Sequence, residues 1–433
     1  MAFPTHTSKK SYPRGPRMKI KHCSLLTISI LFACNVNSAG FQVAEHSASG
    51  LGRAFSGEAA VADNASVLAR NPAAMTLFDT AQFSGALSII DPEVDVNDVT
   101  NNQYSKDVAP MQFVPASYYI SPINDKWAWG VGLFTTYGVG TDYPDSIAAG
   151  DMAGNTSLAS VNLNPNIAYR VNDNFSVGAG VNLVYAIAEL DRHMGALAPF
   201  FSGSPSDKLI SMEGKTFAFG WNIGALYELN ENNRFGFGYR SAVNLNFDDG
   251  KFTDHGGSIV SDATKNPVTG KLEIELPDIV ELSGFHQLND QWGVHYSWQR
   301  TMWSKFKELK ATSSDCNLKA GVCFLKEEDY SDNNRYSVGA TYALDSDWTL
   351  RAGLAFDEQA GKTTLSIPDS DRTWYSAGVT YAYSSNLTLD AGFALVVSKK
   401  GTFKETNAID QELTFDSKGS AYITAVQLNY TFN

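Results

Sequence analysis

The stretch Phe217-Ala-Phe-Gly-Trp-Asn-Ile-Gly-Ala-Leu-Tyr227 decides the fold. Phe217, Phe219, Trp221, Ile223, Ala225 and Tyr227 alternate with Ala218, Gly220, Asn222 and Gly224, so one face of an extended chain is apolar and the other small or polar. The pattern recurs in Phe175-Ser-Val-Gly-Ala-Gly-Val-Asn-Leu-Val-Tyr185 and in Tyr422-Ile-Thr-Ala-Val-Gln-Leu-Asn-Tyr-Thr-Phe432. Six short Asn/Asp/Ser clusters punctuate the chain: Pro122–Trp127, Val171–Phe175, Leu229–Phe235, Leu288–Trp292, Leu344–Trp348 and Tyr383–Leu387. Each sits between apolar or aromatic residues, which is tight-hairpin chemistry. The other connections are long, at about 91–112, 138–159, 188–215, 248–275, 304–334, 357–372 and 398–419. Six hairpins supply twelve strands. One strand before the first long loop (Phe83 to Ile89) and one after the last (Ala421 to Phe432) make fourteen.

Short turns on one side, long loops on the other and an even strand number predict an all-β, fourteen-stranded antiparallel transmembrane β-barrel over residues 81–433. In hydrocarbon every backbone N–H and C=O must be paired, so such a sheet closes on itself. Trp127, Tyr169, Phe175, Tyr227, Trp292, Tyr342 and Trp348 at strand ends fit an interfacial girdle. A soluble β-sandwich would carry Lys and Glu on its outer face instead. The composition agrees: 43 % hydrophobic residues exclude a disordered chain, and past the N-terminal segment no apolar run is long enough for a membrane helix.

Residues 1–38 read as a signal peptide. Lys9, Lys10, Arg14, Arg17, Lys19 and Lys21 are a basic start, Leu25 to Phe32 an apolar core, and Val36-Asn-Ser38 small residues before Ala39. Met18 offers an alternative start, and Leu31-Phe-Ala-Cys34 an alternative reading as a lipidation box at Cys34. The formal net charge of −13 argues against nucleic acid as a partner. Cys316 and Cys323, inside a polar stretch of an exported chain, fit a small disulfide-closed loop.

Fourteen strands enclose a lumen too wide for Gly, Ser and Asn to fill. Residues 39–80 lack strand alternation and read as a compact segment of short helices and turns, whose simplest place is inside the barrel. That segment, AGFQVAEHSASGLGRAFSGEAAVADNASVLARNPAAM, closely resembles the hatch, or plug, of the FadL family of long-chain fatty acid outer-membrane transporters. The resemblance continues through SPINDKWAWGVG, NLVYAIAELDRHMG, FGWNIGALYEL, SWQRTMWSKFKELKATS, SIPDSDRTWYSAG and NYTF. It implies passive uptake of long-chain fatty acids across a Gram-negative outer membrane. Cargo is caught at a groove between the third and fourth external loops, moves to a lumenal pocket beside the hatch N-terminus, and leaves sideways at an inward kink in the third strand. Outer-membrane lipid, lipopolysaccharide and the barrel-assembly machinery follow as partners. Asn433, after Phe432, departs from the usual aromatic terminus.

Met212, Leu197, Phe200 and Phe201, in and after the third loop, are candidates for the groove, since exposed apolar loop residues mark binding sites; the alternative is that they pack against each other. Arg192 and Lys310 match positions that hold the ligand head group in the family, where a screened charge-assisted contact is strong. Phe41 resembles the hatch residue that touches ligand. Gly138 and Gly140 are candidates for the kink, because Gly in a strand tolerates a bulge. Asn71-Pro72-Ala73 is expected to hold the hatch turn against that kink, and Gly224 to lie near the wall opening. No metal or cofactor is expected. His295 and Ser297 share a strand face, as in outer-membrane phospholipases, but Trp298-Gln299 stand where those enzymes have Asn-Gly, so the chain is read as no enzyme. Uptake of neutral or aromatic hydrocarbons is the alternative function; a lipid hydrolase and a surface adhesin or phage receptor are more distant ones.

Overall fold

Strands form where alternation predicts them, and their ladders close a ring. The computed structural model describes residues 40–317 and 321–433; the signal-peptide and Cys34 readings lie outside these. The wall consists of β1 (Gln82–Asp98), β2 (Gln112–Pro122), β3 (Trp127–Phe134, resuming Gly138–Asp142), β4 (Asn155–Asn172), β5 (Phe175–His193) and β6 (Lys208–Asn230). It continues with β7 (Asn233–Arg240 and Val243–Asp254), β8 (Val268–Leu276 and Ile279–Gln287), β9 (Trp292–Thr301 and Glu308–Thr312) and β10 (Val322–Glu327 and Asn333–Ala343). It ends with β11 (Trp348–Asp357), β12 (Arg372–Ser384), β13 (Leu387–Ser398) and β14 (Glu412–Thr431). Each strand pairs antiparallel with the next. β14 returns to β1 in register from Gln82↔Thr431 to Asp98↔Phe415, so the fourteen-stranded barrel is closed.

The strands outrun the apolar alternation. β1 extends to Asp98 and β5 to His193, and two short strands within 304–334 prolong β9 and β10. Beyond the hydrocarbon the backbone still pairs while outward side chains turn polar, so the hydropathy signal ends before the strand does. Within the band Phe217, Phe219 and Trp221 point outward, with Phe219 71 % exposed, while Ala218 and Asn222 are buried on the inner face. Trp127–Tyr169, Trp292–Tyr342 and Trp348–Tyr381 stack across neighbouring strands at the short-turn end.

Residues 40–78 lie against inward-facing residues of strands around the ring. Helix α1 (Ala48–Gly52) is capped by Ser47, whose hydroxyl accepts from the Gly50 amide. Single 3₁₀ turns follow at Ala65–Ala69 and Pro72–Leu77, capped by Asn64 and Asn71. Wall side chains satisfy backbone amides that so short a set of helices leaves free: Gln427 accepts from Ala48, Ser297 from Gly57, Ser283 from Ala59 and Ser84 from Ala65. Gly52 meets Gly378 so closely that a Cβ on Gly52 would lie 2.7 Å from the Gly378 Cα. Ion pairs join the segment to the wall as well, including Arg70–Glu281 at 3.6 Å and Asp63–Arg351 at 3.2 Å.

Candidate functional site

β3 breaks at Thr135–Tyr137. Phe134 pairs with Asn162 of β4, and Gly138 next pairs with Ala159, so one extra residue is folded into β3. Toward β2 the ladder stops at Leu133↔Ser117. The exposed edge is taken by the chain's own N-terminal stretch: Gln42 bridges Tyr137, the Gly138 amide donates to Phe41 O (2.9 Å), and the Val43 amide donates to Thr136 O (2.8 Å). The His46 imidazole contacts Thr135 O at 2.9 Å. The kink therefore falls on two threonines and a tyrosine, and Gly138 and Gly140 follow it in the resumed strand.

Beside this junction lies an apolar cavity of about 770 Å³, part of it open to solvent. Its floor is Phe41, packed edge-on to Trp303 (4.5 Å between centroids) and Phe306 (5.2 Å), with Tyr137 at 6.2 Å. Its walls are Val139 of β3, Leu158 of β4, Leu190 of β5, Met212 of β6, Phe247 and Phe252 of β7, Leu272 and Ile274 of β8, and Leu309 and Ala311 of β9. Ile367, from the β11–β12 connection, closes one side. That connection folds inward; Leu365 and Ile367 are buried, and Asp369 accepts from the Ala360 amide at 2.7 Å. The lining suits an acyl chain or another apolar guest.

Phe41 and Met212 line the cavity. Arg192 lies within β5, fully buried one layer behind the lining residues Thr156 and Ile367. Its guanidinium donates to Asn155 O (3.0 Å), Asp191 O (2.7 Å), Thr156 Oγ1 (3.1 Å) and Ser366 Oγ (2.8 Å). The expectation for Lys310 needs correction: Leu309 and Ala311 point into the cavity, so alternation turns Lys310 outward, 44 % exposed and 3.8 Å from Glu308. The third loop also divides. Leu197 is buried with Met194, Leu209 and Ile210 in a loop core shared with Val260 and the Cys316–Cys323 disulfide. Phe201, in α2 (Ala198–Phe201), packs partly against that core, whereas Phe200 is 71 % exposed. None of these three lines the cavity. Tertiary closure of the loops, invisible to a residue-by-residue reading, decides this.

Asn71-Pro72-Ala73 sits against β5 and β6. Asn71 Nδ2 donates to Ala59 O (2.7 Å) and Ala225 O (2.9 Å), and a Cβ on Gly178 would lie 2.5 Å from the Ala73 amide nitrogen. Gly224 is the seat of Asn71 and Pro72. The kink is held by residues 41–46. His295 and Ser297 face inward and hold residues 56–57: His295 Nδ1 is 2.7 Å from Ser56 Oγ, and Ser297 Oγ accepts from the Gly57 amide at 2.9 Å. Lys251 and Lys271, which line the cavity, were not singled out in the sequence because charge on a strand's outer face carries no hydropathy signal.

Residues 29–432 match the family described as outer membrane protein transport protein (OMPP1/FadL/TodX). The chain is 39 % identical to outer membrane protein P1 of Haemophilus influenzae, over 96 % of this chain and 100 % of that one. It is 36 % identical to the long-chain fatty acid transport protein of Escherichia coli K12, over 94 % and 98 %. Its fold resembles a crystallised FadL homologue of Pseudomonas aeruginosa (TM-score 0.79, 23 % identity, 91 % and 100 % coverage). It also resembles the toluene transporter TbuX of Ralstonia pickettii (TM-score 0.65, 20 % identity, 91 % and 99 % coverage).

Proposed function

The chain belongs to the OMPP1/FadL/TodX family of outer membrane transport proteins, and from that premise we propose that it takes up long-chain fatty acids by passive diffusion through a plugged barrel, releasing them sideways at the β3 kink. It is an outer-membrane β-barrel transporter of hydrophobic substrates, as the family and its relatives are. The finer reading rests on one observation: the apolar cavity and the kink share Phe41, which floors the first and pairs with the edge of the second. In this reading residues 40–80 act as the hatch. A guest pressing on Phe41 loosens residues 41–43 from Thr136 and Gly138, and the freed edge between β2 and β3 becomes the exit. The acyl chain supplies the driving force, at roughly 0.8 kcal/mol per buried CH₂. The head group reaches Arg192 when Thr156 and Ser366 yield their places. No chemical step is required, and the family consists of transport channels.

Uptake of a neutral aromatic hydrocarbon is the second reading, favoured by the predominantly apolar walls of the cavity. Labelled oleate and labelled toluene, given to cells lacking their own transporter, separate the two. Oleate accumulation that appears only when this chain is expressed supports the proposal; accumulation of toluene alone overturns it.

A further inference from the structure

The wall has a second irregularity, between β6 and β7. Their ladder runs from Asn230↔Asn233 to Asn222↔Arg240 and resumes only at Glu213↔Lys251. Among the described residues, Gly214–Trp221 has no ladder partner on β7 across this seam, although this stretch of β6 remains paired to β5, and β7 to β8 apart from a bulge at Asp248–Asp249. Three contacts hold the seam: the Ser241 amide to Trp221 O (2.9 Å), the Trp221 amide to Ser241 Oγ (2.9 Å), and Thr216 Oγ1 to Asn246 O (2.7 Å). Outward from it stand Phe217 and Phe219 on one side and the exposed Asn244 and Asn246 on the other.

The cavity reaches the wall at the upper end of this seam. Gly214, Gly250 and Gly270, on three successive strands, line it and put no side chain between it and the exterior. On the outer side Lys251 pairs with Glu213 at 2.9 Å and Lys271 with Asp248 at 3.5 Å, all four more than half exposed. Exposed pairs of this kind are worth little and exchange partners readily. Unpaired strand edges beside lipid need water or a polar group of a guest, while the space behind them wants hydrocarbon. A polar mouth over an apolar chamber has the chemistry of a single-chain amphiphile. We propose that this seam is a side window through which a carboxylate amphiphile dissolved in the outer leaflet passes its tail into the cavity, its head held by Lys251 and Lys271. The inference rests on the transport reading above, adding a membrane-side source of cargo.

The test uses the full chain in a bilayer that already contains a fatty acid with a photoactivatable group near its methyl end. An ideal Cβ at Gly214 lies 3.4 Å from the Cβ of Phe247, close to disulfide spacing, so Gly214→Cys with Phe247→Cys can be locked and released. Labelling of Phe41 and Ile367 is expected in the reduced variant and lost on oxidation; equal labelling in both states overturns the window. Since that pair could disturb assembly, Lys251→Gln with Lys271→Gln serves as the second variant. It should lower labelling by the acid about tenfold, as loss of two exposed ion pairs implies, and leave the methyl ester unaffected; equal effects on both probes overturn the head-group assignment. Cellular oleate uptake is measured in parallel. Its absence in the unaltered chain refutes the transport reading, whereas normal uptake with unchanged labelling on oxidation refutes the window alone.

Discussion

Asn71 carries more of the attachment of residues 40–78 to the wall than its size suggests. Its amide group donates to carbonyls from two different parts of the chain and its oxygen caps the next turn, accepting from the Ala73 amide at 3.0 Å. Asn71→Ala strands buried carbonyls, at about 1–3 kcal/mol. Hydrogen exchange of amides in 59–77 should quicken accordingly, with the rest of the wall unchanged. Gly224 behaves as its counterpart. A single methyl there overlaps Asn71 Oδ1 and Pro72, so Gly224→Ala should displace the turn and cost about 1–3 kcal/mol as overpacking does. Raised permeability of cells to a hydrophilic dye, without loss of assembled barrel, is the expected outcome. The two residues were legible in the sequence as turn and strand residues; that they touch each other was not, because 152 intervening positions hide the contact.

Two elements border the cavity. The first is the short pairing of residues 41–43 with the β3 kink. Gln42 and Tyr137 are bridge partners, so Gln42→Cys with Tyr137→Cys should tie the N-terminal stretch down. Oxidised protein is expected to bind oleate yet fail to pass it on, and reduction to restore passage in the same cells. The second is the inward-folded β11–β12 connection, held by Ser366, which accepts from both Arg192 (2.8 Å) and Lys326 (2.7 Å). Glu328 lies in the same cluster; burial pushes its carboxyl up from 4.5 to about 7, with Lys326 and Arg192 opposing and Glu405 reinforcing the shift. A raised carboxyl favours the folded arrangement below pH 4.5 and loses that contribution as pH rises toward 7. Protease resistance of the 358–371 connection should therefore fall over this interval, by at most a few kcal/mol in local opening, and Glu328→Gln should remove the pH dependence. A profile identical in both proteins contradicts this.

At the scale of the whole molecule, closure of the wall is separate from the packing of residues 40–46. The β1–β14 ladder is complete without any contribution from residues 40–46. Deleting 40–46 should leave a barrel that still resists SDS at room temperature, while Trp303 fluorescence loses its response to ligand because Phe41 no longer packs on it. A deletion that abolished SDS resistance would show residues 40–46 to be part of the wall's stability.

Fold class, strand number and the turn side follow from local rules: a period of two, turn chemistry, and the demand that backbone in hydrocarbon be paired. These act between near neighbours, so the linear order of Phe217 to Tyr227 already contains them. Alternation even contains the outward direction of Lys310, once its strand is known to continue past the apolar band. What only the tertiary structure decided is where distant segments meet: Arg192 behind the cavity rather than in it, Leu197 in a loop core, Asn71 on Gly224, and Phe41 between chamber and kink. Those placements depend on how a barrel's curvature and its folded-in loops bring residues hundreds of positions apart into contact. Packing of that kind is set by volume and shape, and no periodicity records it.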